Sequence, residues 1–115
     1  MADVLTFVRD MMFTSKIREV ARQLGVTVAS IKDPAALPAA GPETRLVILD
    51  LRLPEALPLL ALLASSASHQ GLKTIGFIDH ERTDVMDAAR AAGCSDVMAK
   101  GQFSNQLPKL LAAGT

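Results

Sequence analysis

The chain has 115 residues, half of them apolar, and 12 Lys plus Arg balance 12 Asp plus Glu. That length suits one domain with a real core rather than two. The even charge lacks the basic excess of a nucleic-acid binder, and no apolar run approaches the roughly 18 residues of a membrane span, so neither partner is expected.

Residues 4–8 predict a first strand, ending in Arg9-Asp10. Asp3, Arg9 and Asp10 break any signal-peptide pattern there, and the lone Cys94 has no disulfide partner, so a cytoplasmic, reducing compartment is expected. From Met11 to Leu24, the apolar Phe13, Ile17, Val20, Ala21 and Leu24 recur at helical spacing, and Gly25 supplies the stop. Met11-Met12-Phe13 reads as core. Residues 26–31 predict a short second strand. Segment 32–42 follows with three prolines and a glycine, and Asp33-Pro34 can start at most a turn or two of helix.

Residues 46–49, Leu-Val-Ile-Leu, form an unbroken apolar run that stops on Asp50. That is the pattern of a strand covered on both faces in a parallel sheet. Pro54 forces a loop, and residues 59–67 predict a very apolar helix after Pro58, closed by His69-Gln70-Gly71. Residues 73–78 predict strand four, with Asp79-His80-Glu81 at its end. Residues 82–92 predict an amphipathic helix with Val85, Ala88, Ala89 and Ala92 inward and Gly93 as cap. Residues 96–99 predict strand five, running into Lys100-Gly101. A last helix is expected from about 104 to 113, with Leu107, Leu110 and Leu111 inward and Pro108 in its first turn or so.

Five strands alternating with helices predict an α/β fold, a flavodoxin-like (βα)5 doubly wound parallel sheet of strand order 2-1-3-4-5, with residues 1–115 as a single domain. In such a sheet ligands and chemistry gather at the carboxyl ends of the strands. Those ends carry Arg9-Asp10, Asp50, Asp79-His80 and Lys100. Each also has a plainer role: Asp10 and Asp50 as caps, Lys100 as a solvated lysine, His69 and His80 as surface residues, Cys94 as a small buried side chain.

The apolar strand ending in Asp50 with Pro54 after it, and Ala91-Ala92-Gly93-Cys94-Ser95-Asp96-Val97-Met98-Ala99-Lys100, resemble a response-regulator receiver domain of the stand-alone chemotaxis type. The resemblance implies that Asp50 is the phospho-accepting aspartate, Lys100 the lysine that pairs with the phosphoryl group, and Asp10 one of an acidic pair that holds Mg²⁺. A carboxylate attacking a phosphoryl donor needs cations on the oxygens, which suits that assignment.

The departures imply a degenerate receiver. Arg9 replaces the first acid of the pair, where a fixed cation would compete with Mg²⁺, so Mg²⁺ is expected to bind weakly at Asp10 and Asp50. The hydroxyl position after strand four falls on Ile78 or Asp79, the aromatic switch position on Val97, and the proline after the lysine is Gly101.

Three readings follow. One is a receiver-like module of two-component signalling that binds a histidine kinase or a downstream target, through a face including Val85, Ala88, Met98, Gln102 and Phe103. The second is a working phospho-acceptor, an enzyme at most on its own Asp50. The third, a flavodoxin-like flavin or nucleotide binder, lacks both a glycine in Met11-Met12-Phe13 and the Trp and Tyr that sandwich a ring.

Overall fold

The computed structural model describes residues 3–31, 44–65 and 72–113. Its elements are β1 (Val4–Phe7), α1 (Met11–Leu24), β2 (Val28–Ser30), β3 (Leu46–Asp50), α2 (Ala56–Ser65), β4 (Lys73–Ile78), α3 (Thr83–Ala91), β5 (Asp96–Ala99) and α4 (Lys100–Ala113). The strands form one parallel sheet in the order β2-β1-β3-β4-β5, as the alternation predicts. The short helix expected at Asp33-Pro34 and the helix closure at His69-Gln70-Gly71 lie outside the described residues. No helix among the described residues is long and apolar enough to cross a membrane.

Successive strand side chains point to opposite faces, and β3 shows how that divides the core. Leu46 and Ile48 pack with Ile17, Ala21, Phe103 and Leu107, in the layer between the sheet and α1 and α4. Val47 and Leu49 pack with Leu59, Leu60 and Ala89, in the layer under α2 and α3. Burying each such side chain contributes about 1.5–3 kcal/mol, which anchors β3 in the centre of the sheet. Asp50 is next in the alternation, so its side chain belongs to the α1/α4 face.

Several local expectations are corrected. Met11 and Met12 are 77% and 82% exposed, not core. The buried arc of α1 runs through Ile17 and Ala21 with Phe13 and Val20 beside it, and the two methionines occupy the first turn before that arc begins. Leu24, last in the helix, is also exposed. Helix α2 starts at Ala56, ahead of Pro58, because the first N–H groups of a helix have no intrahelical acceptor and a proline there removes nothing. In α3, Ala88 is exposed and Met86 packs inward instead, while Ala92 is the cap and Gly93 takes the left-handed turn at φ 102°. Helix α4 begins at Lys100, directly off β5, so Pro108 sits in its interior rather than its first turn. There it leaves the Ser104 carbonyl without its usual i+4 donor.

Gly76 on β4 pairs with Leu49 and Val97, and a Cβ there would lie 2.8–2.9 Å from the Leu51 side chain. Leu51 is itself buried and has little room to retreat. Gly76→Ala should therefore destabilise the fold by about 1–3 kcal/mol, read as a lower denaturant midpoint at unchanged m. In a Leu51→Ala background the same substitution should become nearly neutral. A penalty that persists there would show that the Leu51 contact is not its cause.

Candidate functional site

The site forms where β1 and β3 lie side by side and their following helices leave on opposite faces of the sheet. That divergence opens a crevice at the carboxyl ends of the strands. Asp50, the last residue of β3, stands beside Phe77 of β4 and is only 1% exposed.

Alternation also sorts the end of β1. Phe7 packs in the α2/α3 layer and Val8 against the α1/α4 layer. Arg9 follows Phe7: its guanidinium lies 5.9 Å from the Phe7 ring centroid and reaches Glu55 at 3.4 Å, at the start of α2. Asp10 follows Val8 to the other face. Arg9, expected to place a fixed cation near Asp10 and Asp50, instead pairs with Glu55.

Asp10 does two things at once. Its Oδ1 accepts from the backbone N–H groups of Met12 (2.9 Å) and Phe13 (3.2 Å), capping α1. Its Oδ2 accepts from Nη2 of Arg52 at 3.3 Å. The backbone bond from Phe13 does most to hold the Asp10 carboxyl below the ordinary carboxylate range, with Met12, Arg52 and the charge of Lys100 adding to it.

Arg52, in the loop after β3, supplies the counter-charge of Asp50. Its Nε donates to Asp50 Oδ1 and its Nη2 to Asp50 Oδ2, each at 3.1 Å, a two-pronged grip on one carboxylate. The Arg52 backbone N–H adds a further bond to Oδ1 at 3.1 Å. The hydrogen bond to Asp50 is the main cause that raises the basicity of Arg52. A buried carboxylate is tolerated only when paired, and Asp50 finds its partner two residues along its own chain. The signal was present as Asp-x-Arg: an Asp readily accepts from the N–H two residues on, which brings that residue's side chain back toward the same carboxylate.

Lys100, the first residue of α4, stays at this end of the sheet on the same side. Its Nζ lies 5.2 Å from the Phe13 ring centroid, over the ring face. Phe13, Phe77 and Phe103 form one aromatic cluster, with centroids 4.9 Å (Phe13–Phe77), 4.5 Å (Phe77–Phe103) and 6.0 Å (Phe13–Phe103) apart, which walls the crevice behind Asp50. Among the described residues, the ion pairs of Asp10 and Asp50 are both with Arg52.

Ile78 is buried in the α2/α3 layer, away from Asp50, while Asp79 is exposed beyond the end of β4. Of the surface expected for a partner, Met98 and Phe103 are buried in the α1/α4 layer and cannot touch another molecule; Ala88 and Gln102 are exposed, and Val85 is half-buried.

The two acids an Mg²⁺ ion would use, Asp10 and Asp50, are both engaged by Arg52. That ion demands near-octahedral oxygen ligation, but the space between the two acids is bridged by a guanidinium, and one Asp10 oxygen is committed to the helix cap. Among the described residues no group of three or more His, Cys, Asp or Glu side chains could hold a metal ion.

No protein-family model and no curated protein sequence matches the chain. Solved structures do. A response regulator of Chloroflexus aurantiacus described as putative superposes with a TM-score of 0.82 at 18% identity, over 98% of this chain and 96% of that one. Chemotaxis response regulator CheY4 of Vibrio cholerae gives 0.81 at 14% identity, over 100% and 99%. The receiver domain of a sensor histidine kinase from Pseudomonas aeruginosa, solved with magnesium in its active-site cleft, gives 0.77 at 17% identity, over 97% and 95%. The chain has the flavodoxin-like fold of response-regulator receiver domains.

Asp10 joins two functions that substitution separates. Asn caps a helix about as well as Asp but carries no charge, so Asp10→Asn should keep most of the thermal stability that Asp10→Ala loses. Because folding lowers the Asp10 pKa, its charge stabilises the fold at neutral pH, and that contribution is lost as pH falls below about 4. Thermal melts of wild type and Asp10→Asn should converge on acidification. A gap that is constant from neutral pH down to acid would show that the charge contributes nothing.

Proposed function

We propose that the chain is a receiver-type module of two-component signal transduction, a single domain that works by binding another signalling protein in the cytoplasm. The observation that carries this reading is the buried Asp50 at the carboxyl end of β3, with Asp10 beside it, in a chain whose whole length superposes on receiver domains.

We further read the module as degenerate, with Asp50 outside phosphoryl chemistry. Both oxygens of Asp50 are held by Arg52, and Asp79, exposed just past β4, offers a carboxylate rather than a hydroxyl. Val97 packs in the α2/α3 layer, and its β-branched side chain is too stiff to act as a gate. Without differential contacts in two states, a phosphoryl group shifts no equilibrium. Met11 and Met12, in the first turn of α1 after Asp10, are exposed, and methionine adapts its packing to a partner surface. They supply apolar contact that the buried Met98 and Phe103 cannot.

The test exposes the protein to acetyl phosphate and Mg²⁺, with mass spectrometry for an aspartyl adduct and amide NMR for the response. The expected outcome is no adduct and an unchanged spectrum, together with calorimetric binding to a histidine-kinase phosphotransfer domain or a downstream regulator in the absence of any phosphoryl donor. A stoichiometric adduct on Asp50, with shifts spreading to Val97 and Gln102, would establish the working phospho-acceptor instead. Failure to bind any kinase or regulator of the source organism would overturn the signalling reading.

A further inference from the structure

We infer that Arg52 is the resident cation of this crevice: a guanidinium fixed between Asp10 and Asp50 that takes the place of a divalent metal and closes Asp50 as a nucleophile. Three observations converge. The guanidinium contacts both carboxylates at once, at 3.1 Å to each Asp50 oxygen and 3.3 Å to Asp10. Oδ1 of Asp50 accepts a further bond from the Arg52 backbone, so the side chain and the main chain of one residue hold the same group. And Arg9, the other arginine at this end of β1, is drawn off to Glu55, which leaves Arg52 as the guanidinium between the acids.

A carboxylate attacks through an oxygen lone pair; Arg52 donates two bonds to Oδ1 and one to Oδ2 of a 1% exposed group, and its charge makes the remaining lone pair a poorer nucleophile. Arg52 also adds one positive charge within contact distance of any ion that would enter between Asp10 and Asp50. Unlike a bound metal, this cation is covalently attached. It needs no metal supply and cannot be stripped by a chelator. The inference rests on the receiver reading only for the comparison with a metal; the electrostatics stand on this chain alone.

The test uses Mn²⁺ as a paramagnetic probe of the isolated protein, with Mg²⁺ as competitor, on wild type, Arg52→Gln and Arg52→Lys. Wild type and Arg52→Lys should show no saturable broadening of the amides of residues 10–12 and 50–52, since both keep the charge. Removing that charge in Arg52→Gln should create a saturable, Mg²⁺-competed site, at least about tenfold tighter than any in wild type. Equal Mn²⁺ affinity in wild type and Arg52→Gln, or no site in a folded Arg52→Gln, would overturn the inference. So would a site in Arg52→Lys as tight as in Arg52→Gln, which would make the effect one of shape.

A second measurement needs no variant. The Arg52 Nε–H resonance of wild type should be shifted and slow to exchange, unmoved by a chelator or by millimolar Mg²⁺. Its displacement by Mg²⁺ would show that the metal, not the arginine, owns the position. Neither measurement involves a partner protein, so a failed partner titration and a failed cation test are separable results.

Discussion

A carboxylate at the end of a completely buried strand has to be neutralised where it stands. The four residues before Asp50 are among the most buried in the chain, and the same packing that places β3 in the middle of the sheet carries Asp50 out of water. An unpaired charge in that position is strongly destabilising, so the site's architecture follows from what supplies the opposite charge. Here the supplier is local. Arg52 reaches back across one intervening residue, and its backbone and side chain satisfy Asp50 without help from another element. The remaining guanidinium valence then ties in Asp10, and through it the N-terminus of α1.

Strand alternation does the rest of the positioning. Consecutive residues Arg9 and Asp10 end on opposite sides of the sheet because they follow Phe7 and Val8, which face the two core layers. One pairs with Glu55 at the start of α2; the other caps α1 and meets Arg52. The same parity keeps Ile78 away from Asp50, as Asp50 pairs in register with Phe77 and Ile78 packs in the opposite layer. Lys100 continues β5 two residues past Met98, on the face of the aromatic cluster, and its ammonium settles over Phe13.

The fold was legible wherever burial was strong on both sides. The uninterrupted run at 46–49, the helical periodicity of 11–24 and the strand at 73–78 are elements whose apolar pattern admits one reading, and the strand order follows from their alternation. Legibility failed at positions whose fate depends on tertiary geometry. Met11 and Met12 look like core by composition, but lie ahead of the buried arc of α1. Met98 and Phe103 were expected on a partner surface, but α4 springs directly from β5 and folds both into the α1/α4 layer. At the site, Asp10 and Asp50 were identified from their strand-end positions. Arg52 was not, since an arginine in a loop carries no periodicity. Its Asp-x-Arg spacing becomes informative only once Asp50 is known to be buried and in need of a counter-charge.

The two arginines at this end of the sheet differ in where their backbones aim them. Arg9 occupies the sequence position of a missing acid, yet a side chain acts where its backbone aims it, and β1 aims Arg9 at the other layer. Arg52 acts because it is both near and aimed, with its own N–H fixing the turn that directs the fork. A tethered cation differs from a dissociable one in what can change its state. A bound metal responds to its concentration, so a site built around one can be filled or emptied. A guanidinium on the same chain responds only to a competitor for its hydrogen bonds or to a change in the loop that carries it. The loop at 51–55 joins β3 to α2, and Leu51 packs under α2 while Glu55 holds Arg9. A change in the packing of that loop therefore acts on Arg52, which links the charge balance of the crevice to the α2 side of the sheet.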